Sequence, residues 1–359
     1  MQVGIVGLPL SGKTTIYNAL TRSQAETSRH DAGRCQVHTA VVEVPDPRVD
    51  ILAAMFRPRK TTHAKIQYND ISGVASGTGR GGIDAQVLTT LSTCDALLQV
   101  VRAFRSDLVL HPDGEADPAR DLAALRLELI LSDLAVVERR IERLQAGVKK
   151  AQGSQRQVQE HERVLMETLR TALEGEGLIG DLALSPEDQR LIRGYQFLTA
   201  KPALVVVNAG EDDPEPDLDW ANHRRDTAAL ALKGSLEMEI AQLPEAEVAP
   251  FLAEYGIREP GLHRMVRACY DLLGLMSFFT VGEDEVRAWT VRRGATALDA
   301  AGVIHSDLAR GFIRAEVIAY DDMVACGTLA EARKRGKLRL EGKEYIVQDG
   351  DILNVRFNV

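Results

Sequence analysis

Apolar positions change their spacing along this chain, and each change marks a different kind of element. The first hundred residues carry short apolar runs: Val3-Gly4-Ile5-Val6, Val41-Val42-Glu43-Val44, Lys65-Ile66-Gln67-Tyr68-Asn69 and Ala96-Leu97-Leu98-Gln99-Val100-Val101. Each has the length of a strand, and helical stretches such as Thr15-Ile16-Tyr17-Asn18-Ala19-Leu20 lie between them. That alternation predicts an α/β domain, a mostly parallel sheet with helices on both faces. Near Pro118 the period changes. Leu134, Val137, Ile141, Leu144 and Val148 recur at spacings of three, four, three and four, with Glu138, Arg139, Arg140, Glu142 and Arg143 between them. This is a heptad seam. Gln152-Gly153-Ser154 interrupts it, and a second charged run continues through Val158, Leu165 and Leu169. Two long helices joined by a short break predict an antiparallel hairpin. The strand signal returns at Ala203-Leu204-Val205-Val206-Val207, so the hairpin reads as an insertion. From Phe278 the pattern is short strands, frequent turns and one helix, a small α+β domain. The expected bounds are 1–118 with 198–276 for the first domain, 119–197 for the insertion and 277–359 for the last domain.

Composition narrows the function. A length of 359 residues suits two or three domains. The net charge of −9 argues against a generally basic surface, and no DNA specificity is expected. Arg333, Lys334 and Arg335, with Lys337 and Arg339, are a local exception: a contact for RNA phosphates or a solvated helix end. No apolar run approaches the length of a membrane span. A strand starting at Val3 is expected to leave no room for a leader, which points to the cytoplasm. Cys35, Cys94, Cys269 and Cys326 are far apart and form no C-x-x-C pair, so reduced thiols are expected.

The strongest chemical signal is Gly7-Leu-Pro-Leu-Ser-Gly12-Lys13-Thr14, a full G-x-x-x-x-G-K-[ST] between a strand and a helix. In that setting the backbone N–H groups of the loop and the helix N-terminus converge on phosphate oxygens. Gly7 and Gly12 let the backbone wrap closely, Lys13 reaches the β- and γ-phosphates, and the Thr14 hydroxyl holds Mg²⁺. Asp70-Ile71-Ser72-Gly73, at the end of a strand, fits D-x-x-G. There the aspartate binds Mg²⁺ through water and the glycine N–H senses the γ-phosphate. The next residue is Val74, where Ras-type GTPases use a glutamine to orient the attacking water. Valine has no hydrogen-bonding side chain, so hydrolysis is expected to be slow or to use another group. Asn208-Ala209-Gly210-Glu211 follows a strand in the place of N-K-x-D, the guanine reader of GTPases. Glu211 is one methylene longer than aspartate and Ala209 lacks the lysine stem, which weakens the case for guanine and leaves adenine open.

These stretches together resemble the YchF/Obg-like ATPase family of P-loop proteins over nearly the whole chain. The resemblance is carried by Gly4-Ile-Val-Gly-Leu-Pro9, Val44-Pro-Asp-Pro-Arg48, Asp70-Ile-Ser-Gly73, Val100-Val-Arg102 and residues 208–212. It continues through Glu259-Pro-Gly-Leu262, Glu285-Val-Arg-Ala-Trp-Thr290, Ile304-His-Ser-Asp307, Gly311-Phe-Ile-Arg-Ala315 and Val347-Gln-Asp-Gly-Asp351 to Phe357-Asn-Val359. It implies a P-loop domain with a helical insertion, a C-terminal TGS domain of β-grasp fold, Mg²⁺-dependent hydrolysis of ATP or GTP with ATP favoured, and a ribosomal or ribosomal-RNA partner. It also implies a catalytic histidine in the loop after the Val-Val-Arg strand, which aligns with His111. The expected nucleotide contacts are Gly7, Pro9, Gly12, Lys13, Thr14, Thr15, Gly73, Asn208, Glu211 and Ser235. Thr14, Asp70 and Thr39 are expected at the metal, and His111 and Lys13 in catalysis. The chain departs from the family at Leu10 and Ser11, which replace asparagine and valine, so potassium activation is in doubt. Gln36 stands where the family has a threonine after Cys35, leaving Thr39 as the substitute, and Gly210 replaces asparagine or serine. The alternatives are a GTPase of the Obg-related type and a nucleotide-holding RNA or ribosome adaptor that no longer hydrolyses.

Overall fold

The computed structural model of the chain describes residues 1–22, 37–71, 85–106, 109–112, 114–148, 152–214, 216–221 and 227–358. Gly73, Val74, Cys35 and Gln36 lie outside those residues. Among the described residues the strands are β1 (Gln2–Gly7), β2 (Val37–Glu43), β3 (Lys60–Thr62), β4 (Lys65–Ile71), β5 (Ala96–Arg102) and β6 (Ala203–Asn208). They continue with β7 (Thr227–Leu232), β8 (Leu275–Thr280), β9 (Glu285–Arg292), β10 (Phe312–Ala319), β11 (Arg339–Glu341) and β12 (Asp351–Phe357). They form two six-stranded sheets, ordered β2-β4-β1-β5-β6-β7 and β11-β10-β12-β8-β9-β3.

The chain divides into two compact units, Met1–Ala40 with Gln67–Leu262, and Val41–Ile66 with His263–Val359. In the first unit β1 pairs in parallel with β4 and β5, β5 with β6, and β6 with β7. β5 and β6 are buried along their whole lengths, as near-continuous apolar runs in a helix-covered parallel sheet should be. Val6, Ile71, Val87, Leu91, Leu97, Leu125 and Leu129 form the core on one part of this sheet.

The insertion leaves after β5 and returns into β6, as its apolar period predicts. Its helices are Pro118–Val148 and Gly153–Glu174. Val137, Ile141 and Leu144 of the seam are buried with Leu165, Met166, Leu169 and Leu173 of the second helix. Val158 is not part of that core and is 60% exposed. Arg140 grips Glu162 with two hydrogen bonds, 2.9 and 2.7 Å, across the two helices. The first helix is rooted in its own domain by Asp133. This buried carboxylate accepts from Leu198 N (3.0 Å), Thr199 N (2.7 Å) and Thr199 Oγ1 (2.7 Å).

The second unit is built on the mixed sheet. β8–β9 and β10–β12 are antiparallel, and β12–β8 and β3–β9 are parallel. Helix Ala297–Ile304 begins with a Thr296/Asp299 capping box and adds Ala297 and Ala300 to the core around Phe278, Val291, Val317 and Leu353. Residues 41–66 belong to this unit by contact, whereas the motif-based bounds group them with the nucleotide domain. The cause is local. Asp46 caps helix Pro47–Phe56, and Arg48 bridges Asp46 and Asp349 at 2.8 Å each. The Val-Pro-Asp-Pro-Arg stretch and the Gln-Asp-Gly-Asp turn, both carriers of the family resemblance, are thus partners in one ion-pair network.

Most of the basic run is already compensated. Arg333 pairs with Glu316 (3.2 Å), Arg335 with Glu331 (2.7 Å), Lys337 with Asp322 (3.0 Å) and Arg339 with Glu341 (3.4 Å).

Candidate nucleotide site

β1 delivers the chain to Gly7, where a Cβ would overlap Val100 O of the neighbouring strand and lie 2.8 Å from Ser11 Oγ. The loop then takes two left-handed residues, Leu10 (φ 64°) and Gly12 (φ 90°). Gly12 is also pinched by Asn208, whose Nδ2 a Cβ at position 12 would overlap. Helix Lys13–Thr21 follows with no side-chain cap and no acidic residue in its first turn. The N–H groups of its opening turn, which includes Thr14 and Thr15, and the turn's positive dipole end are therefore presented to an anion. Pro9 is exposed on the loop.

Lys13 Nζ folds back on the loop and donates to Gly7 O and Leu8 O at 2.9 Å each. Burial lowers its pKa from the usual 10.5 to about 8, against the pull of Asp70. Thr14 Oγ1 donates to Asp70 Oδ2 at 3.2 Å. Asp70 is buried, and its Oδ1 has no hydrogen-bond partner among the described residues. Burial raises its pKa, opposed by Lys13, Thr14 and His38.

Thr39 is not brought to this cluster. Its Oγ1 donates to Asn69 Oδ1 at 2.9 Å. Side chains alternate along a strand, so Asn69 and Asp70 leave β4 on opposite faces. His38, not Thr39, shares the face of the P-loop helix, with its ring 6.3 Å from that of Tyr17.

Asn208 ends β6 and ties the site together. Its Nδ2 donates to Ser11 O (3.1 Å) and its Oδ1 accepts from Gly234 N (3.0 Å). The amide thus joins the P-loop to the turn before helix Gly234–Gln242. Glu211 is exposed, and its backbone O accepts from Lys233 Nζ. Ser235 is exposed at the start of the same helix. Asp213 Oδ2 accepts from Gly210 N at 2.9 Å and closes the base-side turn.

His111 stands in the loop after β5. Its Nε2 lies 2.8 Å from Asp121 Oδ2, and both side chains are nearly buried. The loop is clamped by Arg102, which donates from Nε to Phe104 O (3.1 Å) and from Nη2 to Val109 O (2.6 Å). The Arg102 guanidinium lies 4.3 Å over the Phe104 ring, and Phe104 in turn flanks Gly12.

A family model described as 50S ribosome-binding GTPase matches residues 2–209, and the YchF-GTPase_C model, described as a protein of unknown function, matches residues 275–358. The chain is 42% identical to the "Ribosome-binding ATPase YchF" of Pasteurella multocida, covering 99% of both chains. It is 41% identical to the protein of that name from Bacillus subtilis, covering 100% of both. The chain belongs to the YchF family. The solved structure of the Schizosaccharomyces pombe YchF GTPase matches with a TM-score of 0.86 at 30% identity, over 99% of this chain and 97% of that one.

Several residues that shape this candidate site carry no motif. Arg102 and Asp121 build the loop that holds His111, and Asp213 and Lys233 shape the base-side turn. Arg102 was visible only as part of the Val-Val-Arg stretch. The carboxylates lie in segments whose acidic residues are numerous, and nothing in their spacing singles them out.

Proposed function

We propose that this YchF chain binds a nucleoside triphosphate at residues 7–15, hydrolyses it slowly, and uses the cycle as a ribosome-associated switch. The observation that carries this reading is the convergence of Lys13, Thr14 and Asp70 beneath a helix N-terminus with no cap of its own. The arrangement suits Mg²⁺: Thr14 supplies a hydroxyl and Asp70 a buried carboxylate oxygen with no hydrogen-bond partner among the described residues. When bound, Mg²⁺ neutralises charge on the β- and γ-phosphates. Lys13 adds positive charge to the transferring group, and His111 is the candidate for orienting water where Val74 has no glutamine to do so. Unassisted turnover on the order of 10⁻⁴ to 10⁻² s⁻¹ is expected on that basis. Adenine is favoured over guanine, because position 211 carries a longer carboxylate and Asp213 is already engaged by Gly210. The ribosome-binding names of its relatives support a ribosomal partner, and a cytoplasmic location accords with that role. No helix among the described residues is long and apolar enough to cross a membrane.

Calorimetric titration with non-hydrolysable ATP and GTP analogues and Mg²⁺ tests the reading. Tighter binding of the ATP analogue, lost by at least tenfold in Lys13→Ala, is expected. Tighter binding of the GTP analogue overturns the base assignment, and binding of neither overturns the site. Co-sedimentation with ribosomes should differ between nucleotide-bound and nucleotide-free protein.

A further inference from the structure

We propose that Asp121 is a positioning residue for His111: it fixes the tautomer of the imidazole so that Nδ1 is the ring's hydrogen-bond acceptor. The inference rests on the reading of His111 as the group that orients water, and adds to it a second residue and a proton address. Asp121 sits in the first turn of helix Pro118–Val148. That turn is anchored, because Asp117 Oδ1 accepts from Ala119 N (3.1 Å) and Arg120 N (3.0 Å) as its cap. Asp121 is 3% exposed, and its two carboxylate oxygens have different duties. Oδ1 accepts from Arg120 Nε (3.2 Å) and Nη2 (3.0 Å), while Oδ2 faces His111 Nε2 at 2.8 Å. A carboxylate only accepts, so Nε2 carries the hydrogen of that bond, and a neutral ring must then use Nδ1 as its acceptor. A buried carboxylate that holds a histidine ring in one tautomer and orientation is a recurrent catalytic arrangement. The histidine's own backbone is held as well, since His111 O accepts from Gly114 N at 3.2 Å to close the turn.

The asymmetry of the two oxygens makes the isosteric variant informative. In Asp121→Asn, Arg120 presents only donors to the position of Oδ1, so the amide carbonyl belongs there. The NH₂ group then faces His111 and donates to Nε2, which forces the hydrogen onto Nδ1. Shape and volume are nearly unchanged, but the acceptor on the ring has moved.

The experiment combines ¹⁵N NMR of histidine-labelled full-length protein, with the His111 signal assigned through His111→Gln, and single-turnover ATP hydrolysis. The wild type is expected to show the Nε2–H tautomer and Asp121→Asn the Nδ1–H tautomer. Hydrolysis in Asp121→Asn should fall at least about tenfold while affinity for a non-hydrolysable ATP analogue stays within about twofold. Asp121→Asn hydrolysing at the wild-type rate, or an unchanged tautomer, overturns the proposal. His111→Ala separates the two claims. If it is slow while Asp121→Asn is not, only the role of Asp121 fails; if it hydrolyses normally, the reading of His111 fails with it. Should Asp121→Asn not fold, the wild-type spectrum still decides, because an Nδ1–H tautomer there contradicts the hydrogen bond on which the proposal stands.

Discussion

Lys13 should take up a proton when nucleotide binds, and the size of that uptake follows from its surroundings. In the free protein the ammonium is buried against two loop carbonyls and its pKa is lowered to about 8. Phosphate groups on the loop supply the negative charge that burial lacks, which returns the pKa towards or above its ordinary 10.5. The complex therefore holds the proton more tightly than the free protein, and binding draws protons from buffer. With a free-state pKa of about 8, the uptake is about 0.1 proton at pH 7, about 0.5 at pH 8 and about 0.9 at pH 9. The sign for affinity is the same: it is full below pH 8 and falls as pH rises, to roughly tenfold weaker at pH 9 than at pH 7. The assay is calorimetry of ADP with saturating Mg²⁺ in buffers of unlike ionisation heat. The slope of observed heat against buffer heat counts protons. A terminal phosphate that ionises at about pH 6 contributes nothing to that slope at pH 8 to 9. A slope of zero at pH 9 would mean that Lys13 is fully charged before binding and that the desolvation argument is wrong. Lys13→Arg keeps its charge at every pH used, so its slope should vanish; a slope like that of the wild type would place the proton elsewhere.

Three further outcomes are expected. Asn208→Ala removes the bonds to Ser11 O and Gly234 N and leaves both partners buried, so stability in urea should drop by about 2–3 kcal/mol; a change below about 0.5 kcal/mol would deny the clamp. Ser11→Ala should be neutral or stabilising by up to about 1 kcal/mol, because Ser11 Oγ is buried with no hydrogen-bond partner among the described residues; thermal denaturation of the nucleotide-free protein checks it, and a marked loss would reveal a partner for the hydroxyl. Asp133→Asn replaces one of two accepting oxygens by a donor facing Leu198 N, Thr199 N or Thr199 Oγ1, and should cost about 2–4 kcal/mol. Faster amide exchange at Leu198 and Thr199, in the turn before β6, than in β6 itself would locate the damage, and uniform acceleration would argue against it.

What the sequence made legible was whatever depends on near neighbours. The P-loop could be read because its chemistry needs Gly7, Gly12, Lys13 and Thr14 at fixed short spacings. The hairpin could be read because a seam repeats in one helix regardless of its partner. The partner's register is a different matter, and Val158 sits outside the packed core. Thr39 shows the limit of motif substitution: one position along a strand changes the face, and His38 has the P-loop side. Residues 41–66 were grouped with their sequence neighbours because nothing local announces that Thr62 will bond Glu285, 223 positions away. The roles of Asp121 and Arg102 were hidden for another reason: their partners His111 and Val109 are near in sequence, but the contacts exist only once the loop has folded over them.

The contact between Gly12 and Asn208 has a consequence for how the chain comes into being. Asn208 Nδ2 meets Ser11 O across 197 positions of sequence, with the whole hairpin synthesised in between. A ribosome making this protein releases the P-loop first and the amide that braces it only after more than half the chain has emerged. Until then the loop is a glycine-containing turn with an unfastened base side, and local contacts cannot fasten it. The brace that Asn208 gives the P-loop can therefore be complete only after β6 has been made and paired with β5. A nascent chain stalled in the hairpin would carry the full phosphate-binding motif and still lack its lock.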